Sequence, residues 1–442
     1  MKGRAPVLRS QPPLGGPTQH RQVLECASPL ALSDVVRPSI PAIAPKDWRS
    51  PRRWRPDDNA SAKGRLRIRV LNTIPIVCAW VLLLAQCVEL RAESGATNAP
   101  ATSGLDWIKV SRNKHGFVRA SSGRPFIPWG FNYDRDYRSR LLEDYWEAEW
   151  PIVVKDFQEM KMLGANVVRV HLQFAKFMDA PDRPNPASLE RLGRLVKLAE
   201  DTGLYLDLTG LGCYRKQDVP AWYIALGETD RWGAQARFWE AVADRCAPSP
   251  AIFCYDLMNE PIVPGGKRAP GDWLTGELGG FNYCQFISLD QAGRSRPQIA
   301  HRWVGQLAAA IRKHDRRHLM TVGLLPDSLE TPVSVSGFVP RKVAGDLDFI
   351  CVHIYPKSGH LKEDLKLLRG FGVGKPVVIE ETFLLGCTGK ELGQFIEGSR
   401  KYAAGWLGFY WGQTPEQLSR STSIGDSLTA AWLKLFQEMN PN

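Results

Sequence analysis

The sequence predicts an α/β fold, a (β/α)8 barrel of the TIM type, over residues 105–442. Three observations carry that expectation. From about residue 105 onward, short apolar runs of strand length alternate with longer segments of helical spacing. The short runs are nearly continuous in apolar residues, as strands are when helices cover a parallel sheet. Eight such units in roughly 340 residues match a barrel with some long loops. A doubly wound open sheet is the alternative, and the lack of a glycine-rich phosphate fingerprint after the first strand counts against it.

The elements follow in order. Phe126–Asn132 reads as the first strand, after a small hairpin around Gly116 and Gly123. Val153, Phe157 and Met160 give Ile152–Leu163 helical spacing, and Gly164 stops it. Asn166–Leu172 is the second strand. Leu189, Leu192, Leu195 and Leu198 share one face of a helix over Ser188–Thr202, ended by Gly203. Leu204–Thr209 is the third strand, Trp232–Arg245 a helix, and Ile252–Met258 the fourth strand. Gln298–Lys313 is helical, Leu319–Leu324 the fifth strand and Phe349–Tyr355 the sixth, with no clear helical period between those two strands. His360–Arg369 suits a helix, Pro376–Ile379 the seventh strand, Glu391–Tyr402 a helix, Trp406–Trp411 the eighth strand and Ser427–Glu438 a closing helix.

Ahead of the barrel the composition changes. Residues 1–64 form a basic Pro/Arg-rich leader with few periodic apolar positions, which predicts disorder; an upstream start codon misassigned in the gene is the other explanation. Residues 65–92 hold an apolar run, Ile74–Ala85, behind Arg65, Arg67 and Arg69, and read as a signal peptide or signal anchor. Residues 93–104 read as a linker. The protein is therefore expected outside the cytoplasm, secreted or periplasmic, or else anchored in a membrane through residues 70–88. The formal net charge of +11 invites a nucleic-acid reading. Residues 1–69 alone hold 14 Lys/Arg against 5 Asp/Glu, so the basicity belongs to the leader and nucleic acid is excluded as a partner. Six of the nine cysteines fall in the barrel segment, without C-x-x-C or zinc spacing. Cys254 and Cys351 lie in apolar strands and read as buried thiols, while a disulfide among Cys213, Cys246, Cys284 and Cys387 is open.

The chemistry sits at strand tips, where barrel enzymes keep it. Ile252–Met258 ends on Asn259-Glu260-Pro261, and Pro376–Ile379 ends on Glu380-Glu381. Two carboxylates at strand ends are the minimum equipment for cleaving a glycosidic bond. Adjacent strand residues point to opposite faces, so one of Glu380 and Glu381 aims into the barrel mouth, and Glu381 is the expected one.

With these motifs on view, the chain resembles glycoside hydrolase family 5, the cellulase- and mannanase-like barrels of clan A, from about residue 105 to 440. Asn259-Glu260-Pro261 resembles the family's fourth-strand Asn-Glu-Pro, and Lys375–Glu381 its seventh-strand motif. The resemblance implies Glu260 as general acid/base and Glu381 as nucleophile, with Asn259 binding the sugar 2-hydroxyl. It further implies that Arg169 orients Glu381, that Tyr355 touches it, that His353 lines the sugar site, and that Trp411 is a stacking floor. Arg169 and Tyr355 would keep Glu381 charged while Glu260 is held protonated. It implies a retaining hydrolase acting on β-linked poly- or oligosaccharides of the mannan or glucan kind, with no metal or organic cofactor, and a carbohydrate as the partner of a monomer. A catalytically inactive carbohydrate-binding barrel is the alternative. Thr382-Phe383 after the nucleophile and Leu208-Thr209-Gly210, where many relatives place a histidine, depart from the pattern and leave the sugar open. Trp146, Trp150, Trp222, Tyr223 and Trp232 follow early strands and suit either sugar stacking or packing. The glycine-rich stretch 265–296 suits one wall of a cleft.

Overall fold

The structure, a computed structural model, describes residues 104–329 and 336–442. The leader, the signal-like run and all of the linker but Gly104 lie outside the described residues. Eight parallel strands close into a barrel: β1 (Trp129–Tyr133), β2 (Val167–Gln173), β3 (Tyr205–Gly212), β4 (Ile252–Asn259), β5 (Leu319–Leu324), β6 (Ile350–His353), β7 (Val377–Glu381) and β8 (Gly405–Phe409). The ring shuts where β8 pairs with β1, Trp406 opposite Trp129 through Phe409 opposite Asn132. Every residue of these strands is buried, which is why their sequences run apolar without alternation.

The helices α1 (Trp150–Met162), α2 (Pro186–Thr202), α3 (Glu228–Cys246), α4 (Arg296–His314), α5 (Pro340–Val343), α6 (Leu361–Gly370), α7 (Gly389–Ser399) and α8 (Ile424–Glu438) follow the strands in turn. Their ends have local causes. Asn185 caps α2 by accepting from the Ser188 amide, and Gly203 closes it in the left-handed conformation at φ 67°. Reciprocal bonds between Ser295 and Gln298, and between Thr388 and Glu391, start α4 and α7. Between β5 and β6, where no helical period is visible, α5 is a single turn followed by a 3-10 turn over Ala344–Asp346.

Two boundaries differ from expectation. Pro125–Phe126 belongs to a three-stranded antiparallel sheet with Ile108–Val110 and Phe117–Arg119, and the barrel strand begins only at Trp129. Tyr355 and Trp411 stand just beyond the ends of β6 and β8, in the mouth. The small sheet covers the opposite end of the barrel: Ile108, Phe117 and Phe126 pack with Val167, Tyr205, Phe253, Leu319 and Phe349, residues at or beside the strand beginnings. All six described barrel cysteines are free thiols, so the open disulfide is not formed.

Near the mouth the strand register slips. From Val352 to His353 on β6 the partner on β7 jumps from Ile379 to Glu381. Glu380 is therefore an extra residue, a β-bulge. Similar slips occur between β2 and β3 and between β4 and β5. The consequence corrects the alternation argument: Glu380 and Glu381 both turn their carboxylates inward, onto the same guanidinium.

Candidate active site

Arg169 on β2 is the hub. Its side chain is fully buried, and Nη1 donates to Glu381 Oε1 at 2.7 Å and to Asn132 Oδ1 at 2.9 Å. Nη2 donates to Asp256 Oδ2 at 2.7 Å and to Asn259 Oδ1 at 2.9 Å, with Glu380 Oε2 at 3.5 Å. One planar fork thus fixes groups from β1, β4 and β7, a task its geometry suits. The expected partners meet here. Tyr355 donates its hydroxyl to Glu381 Oε2 at 2.5 Å. His353 places Nδ1 at 2.8 Å from Glu260 Oε1 and at 3.5 Å from Glu381 Oε2, and Nε2 at 3.2 Å from Glu380 Oε2.

The charges sort by environment. Burial lowers the basicity of His353, but Glu381, Glu260 and Glu380 outweigh it and push its pKa up to about 10, so the ring is an imidazolium at neutral pH. Glu380 is fully buried too, yet Arg169 and His353 hold its carboxyl down at about 2. For Glu381, burial wins over His353, Arg169 and Tyr355, and its pKa lies above the ordinary value. Arg169 and Tyr355 favour the charged form of Glu381, as expected, but they act against a larger effect of burial.

Glu260 follows β4 with φ 45°, a left-handed conformation unfavourable for any residue with a Cβ. Its amide donates to Gly323 O at 3.1 Å. This backbone kink carries the carboxylate out of the strand direction, to where one of its oxygens lies within 4.8 Å of Glu381 and His353. Strain of this kind persists where surrounding contacts over-determine it.

Trp411, just past the end of β8, is buried. Its Nε1 donates to Asp134 Oδ1 at 2.9 Å, and the Arg135 guanidinium sits 5.0 Å from its ring centroid. Arg135 also pairs with Asp134 at 2.6 Å and donates to the Tyr283 hydroxyl at 3.0 Å. Asp134, Arg135 and Tyr283 also line a cavity of ≈ 30 Å³, together with Glu260, Glu381, Asn259, His171, Tyr355 and Phe409. On that measure the cavity has room for water between the two acids.

Several of these residues escaped the sequence reading. His171, two positions after Arg169, lies on the same face of β2 and shares a hydrogen bond with Tyr214. Asp256, three positions before Asn259, accepts from Thr209 at 2.8 Å as well as from Arg169. Both left a signal, a polar residue inside an apolar strand run. Asp134, Arg135, Tyr283 and Cys284 lie in loops and left none. Of the early aromatic residues, Trp146, Tyr223 and Trp232 are buried in the core, and Trp150 and Trp222 pack against it. The stretch 265–296 does form a wall: the Tyr283 carbonyl accepts from Asn259 Nδ2 at 3.2 Å.

Among the described residues, two groups have the spacing to hold a cation, Glu260–His353–Glu381 and Asp207–Asp256–Glu380. In the first group His353 is already shared among three carboxylates, and in the second Arg169 already supplies positive charge to Asp256 and Glu380.

The family model described as cellulase (glycosyl hydrolase family 5) matches residues 146–413. Mannan endo-1,4-beta-mannosidase A of Podospora anserina is 26% identical over 221 residues, 44% of this chain and 51% of that protein. Probable glucan 1,3-beta-glucosidase A of Aspergillus fumigatus is 28% identical over 144 residues, 31% of this chain and 34% of that protein. The chain thus spans about half or less of the length of these curated relatives. Among solved structures, an exo-beta-1,4-mannosidase from Opitutaceae bacterium strain TAV5 superposes with a TM-score of 0.52 at 18% identity, over 68% of this chain and 54% of that one. A GH5_18 protein of Bifidobacterium longum, solved with Manb1-4GlcNAc, gives 0.53 at 14% identity, over 71% and 78%. At these identities the structures bear on the fold alone.

Proposed function

The chain belongs to glycosyl hydrolase family 5, and from that premise we propose that it is a retaining glycoside hydrolase acting on β-mannan-type chains. One observation carries the mechanism: the two acids face one another across His353, whose Nδ1 lies 2.8 Å from Glu260 Oε1 and 3.5 Å from Glu381 Oε2. Retaining enzymes keep their carboxyls about 5–5.5 Å apart, whereas inverting ones leave about 6.5–9.5 Å for a water. Glu381, between Arg169 and Tyr355, attacks the anomeric carbon as its bond to the glycosidic oxygen breaks. Glu260 gives that oxygen its proton. In the second half Glu260 takes a proton from water, whose oxygen displaces Glu381 and regenerates both carboxyls. The His353 imidazolium offsets the negative charge of the two acids while each changes hands. Asn259, aimed by Arg169, is placed for the sugar 2-hydroxyl, and Trp411 becomes a floor once Arg135 leaves its face. The mannan preference rests on the Podospora relative; β-glucan is the competing substrate.

We assign the catalytic domain to residues 105–442 and export to the apolar run Ile74–Ala85. Mass mapping of the native N-terminus checks the second point. The mechanism is tested by assaying mannan, β-glucan and aryl β-glycosides. Glu260→Gln should cost about 10²–10⁴-fold on mannan. Glu381→Ala should be inactive and recover with azide, giving a glycosyl azide of inverted configuration, whereas Glu380→Ala should not. Full activity in both Glu260→Gln and Glu381→Gln, the outcome expected of an inactive sugar-binding barrel whose residual signal is contamination, sinks the assignment.

A further inference from the structure

Glu260 is gripped on both oxygens. His353 Nδ1 lies 2.8 Å from Oε1, and Cys284 Sγ lies 2.8 Å from Oε2. We propose that Cys284 is a positioning residue for the general acid/base, its thiol donating to Glu260 Oε2 and fixing the carboxyl in the orientation that delivers the proton. The inference rests on the retaining-hydrolase reading and adds a residue to its machinery.

Three features make the contact more than proximity. First, the loop that carries Cys284 is stitched to both neighbours of Glu260. Gln285–Phe286 pairs in parallel with Pro261–Ile262, directly after the acid, and the Tyr283 carbonyl accepts from Asn259, directly before it. The Cys284 carbonyl accepts from the Thr275 amide at 3.3 Å and from its hydroxyl at 2.9 Å. The sulfur is therefore placed by backbone that moves with Glu260. Second, Glu260 holds its left-handed φ of 45°, a conformation that needs contacts on the side chain to keep the carboxylate in place. Third, His353 divides its two ring nitrogens among Glu260, Glu380 and Glu381. Its hold on Glu260 is therefore shared with two other carboxylates, one of which changes charge during turnover. The Cys284 thiol holds the other oxygen of Glu260 from outside that cluster.

The consequence is selective. A leaving group that departs as a stable phenolate needs no proton, whereas a sugar hydroxyl does. We compare Cys284→Ala and Cys284→Ser in the full chain on dinitrophenyl β-mannoside and β-mannohexaose. Cys284→Ala should lose roughly three- to tenfold in kcat/KM on the oligosaccharide, as for one hydrogen bond to a charged group, with kcat/KM on the activated glycoside spared, because that ratio reports the step in which Glu260 acts as acid and not the later hydrolysis common to both substrates. Cys284→Ser, which keeps a donor, should recover most of the loss. Equal losses on both substrates, or none on the oligosaccharide, overturn the proposal. Glu260→Gln is the reference: if it shows leaving-group dependence and Cys284→Ala does not, the thiol role alone falls, and if neither does, the acid assignment falls with it. Should Cys284→Ala not fold, methyl methanethiosulfonate on a Cys387→Ser background caps the half-buried thiol through a mixed disulfide, with methanesulfinate leaving, and should reproduce the selective loss.

Discussion

Glu381 combines two demands that pull against each other. A nucleophile must be ionised, yet the closed mouth buries it and pushes its pKa above the ordinary carboxylate value. The Tyr355 hydroxyl, 2.5 Å from Oε2, works in the opposite direction because it bonds to the charged form. Removing it should therefore raise the pKa further. Tyr355→Phe is expected to move the acidic limb of the kcat/KM profile to higher pH, with roughly tenfold lower activity at the optimum. A limb that stays in place or moves to lower pH contradicts the assigned contact. At this scale the sequence was informative where a residue type is chemically odd for its place. A glutamate at a strand tip or an arginine in a run of valines stands out, and Glu260, Glu381, Arg169, Tyr355 and His353 meet as expected. The sign of the Glu381 shift was not legible, because its burial depends on neighbours such as Arg135 and Tyr283 that come from loops. The same loops explain why Trp411, a plausible floor from its position, has its ring face covered by a guanidinium.

At the level of elements, periodicity located the strands because their burial on both faces leaves an uninterrupted apolar signal. It could not locate the bulges. Strand alternation allowed only one of Glu380 and Glu381 to face inward, whereas the slip between Val352 and His353 brings both onto Arg169. Register is a property of the strand pair, so one strand read alone does not contain it. Close approach of neighbouring strands is also a pair property, and Gly130 on β1 shows it. A Cβ there would stand 2.0 Å from the Val167 carbonyl oxygen, on the backbone of β2, which has no rotamer by which to yield. Gly130→Ala should thus force the two strands apart and cost at least the about 1–3 kcal/mol of an overpacked core. Because Asn132 and Arg169 pair in the same register two steps further on, activity should fall along with the urea midpoint. A variant with unchanged stability would mean that β1 and β2 do not approach this closely in solution.

Across the whole molecule the barrel separates its two ends by task. The mouth holds strained backbone, buried acids and covered aromatics, while the other end is sealed by a small sheet whose residues carry no chemistry. Phe117 is the centre of that seal. It is 3% exposed and meets Phe253 and Phe349 edge-on, each with ring centroids 5.2 Å apart. Those two partners stand at the beginnings of β4 and β6, whose far ends lead to Asn259-Glu260 and His353-Ile354-Tyr355. The small sheet was visible in the sequence only as a hairpin around two glycines, since strands of two or three residues are too short to show a period. Its position relative to the barrel left no sequence signal at all. If the ends are independent, Phe117→Ala should open a cavity and lower stability by about 3–5 kcal/mol in urea titration. Well below the new midpoint, kcat/KM on mannan should remain within about twofold of wild type, because sites this far apart add without coupling. A large loss of activity in a variant that is still folded at the assay temperature would show that the seal sets the aim of β4 and β6 along their whole length. The barrel would then act as one mechanical unit, with the catalytic geometry depending on its base.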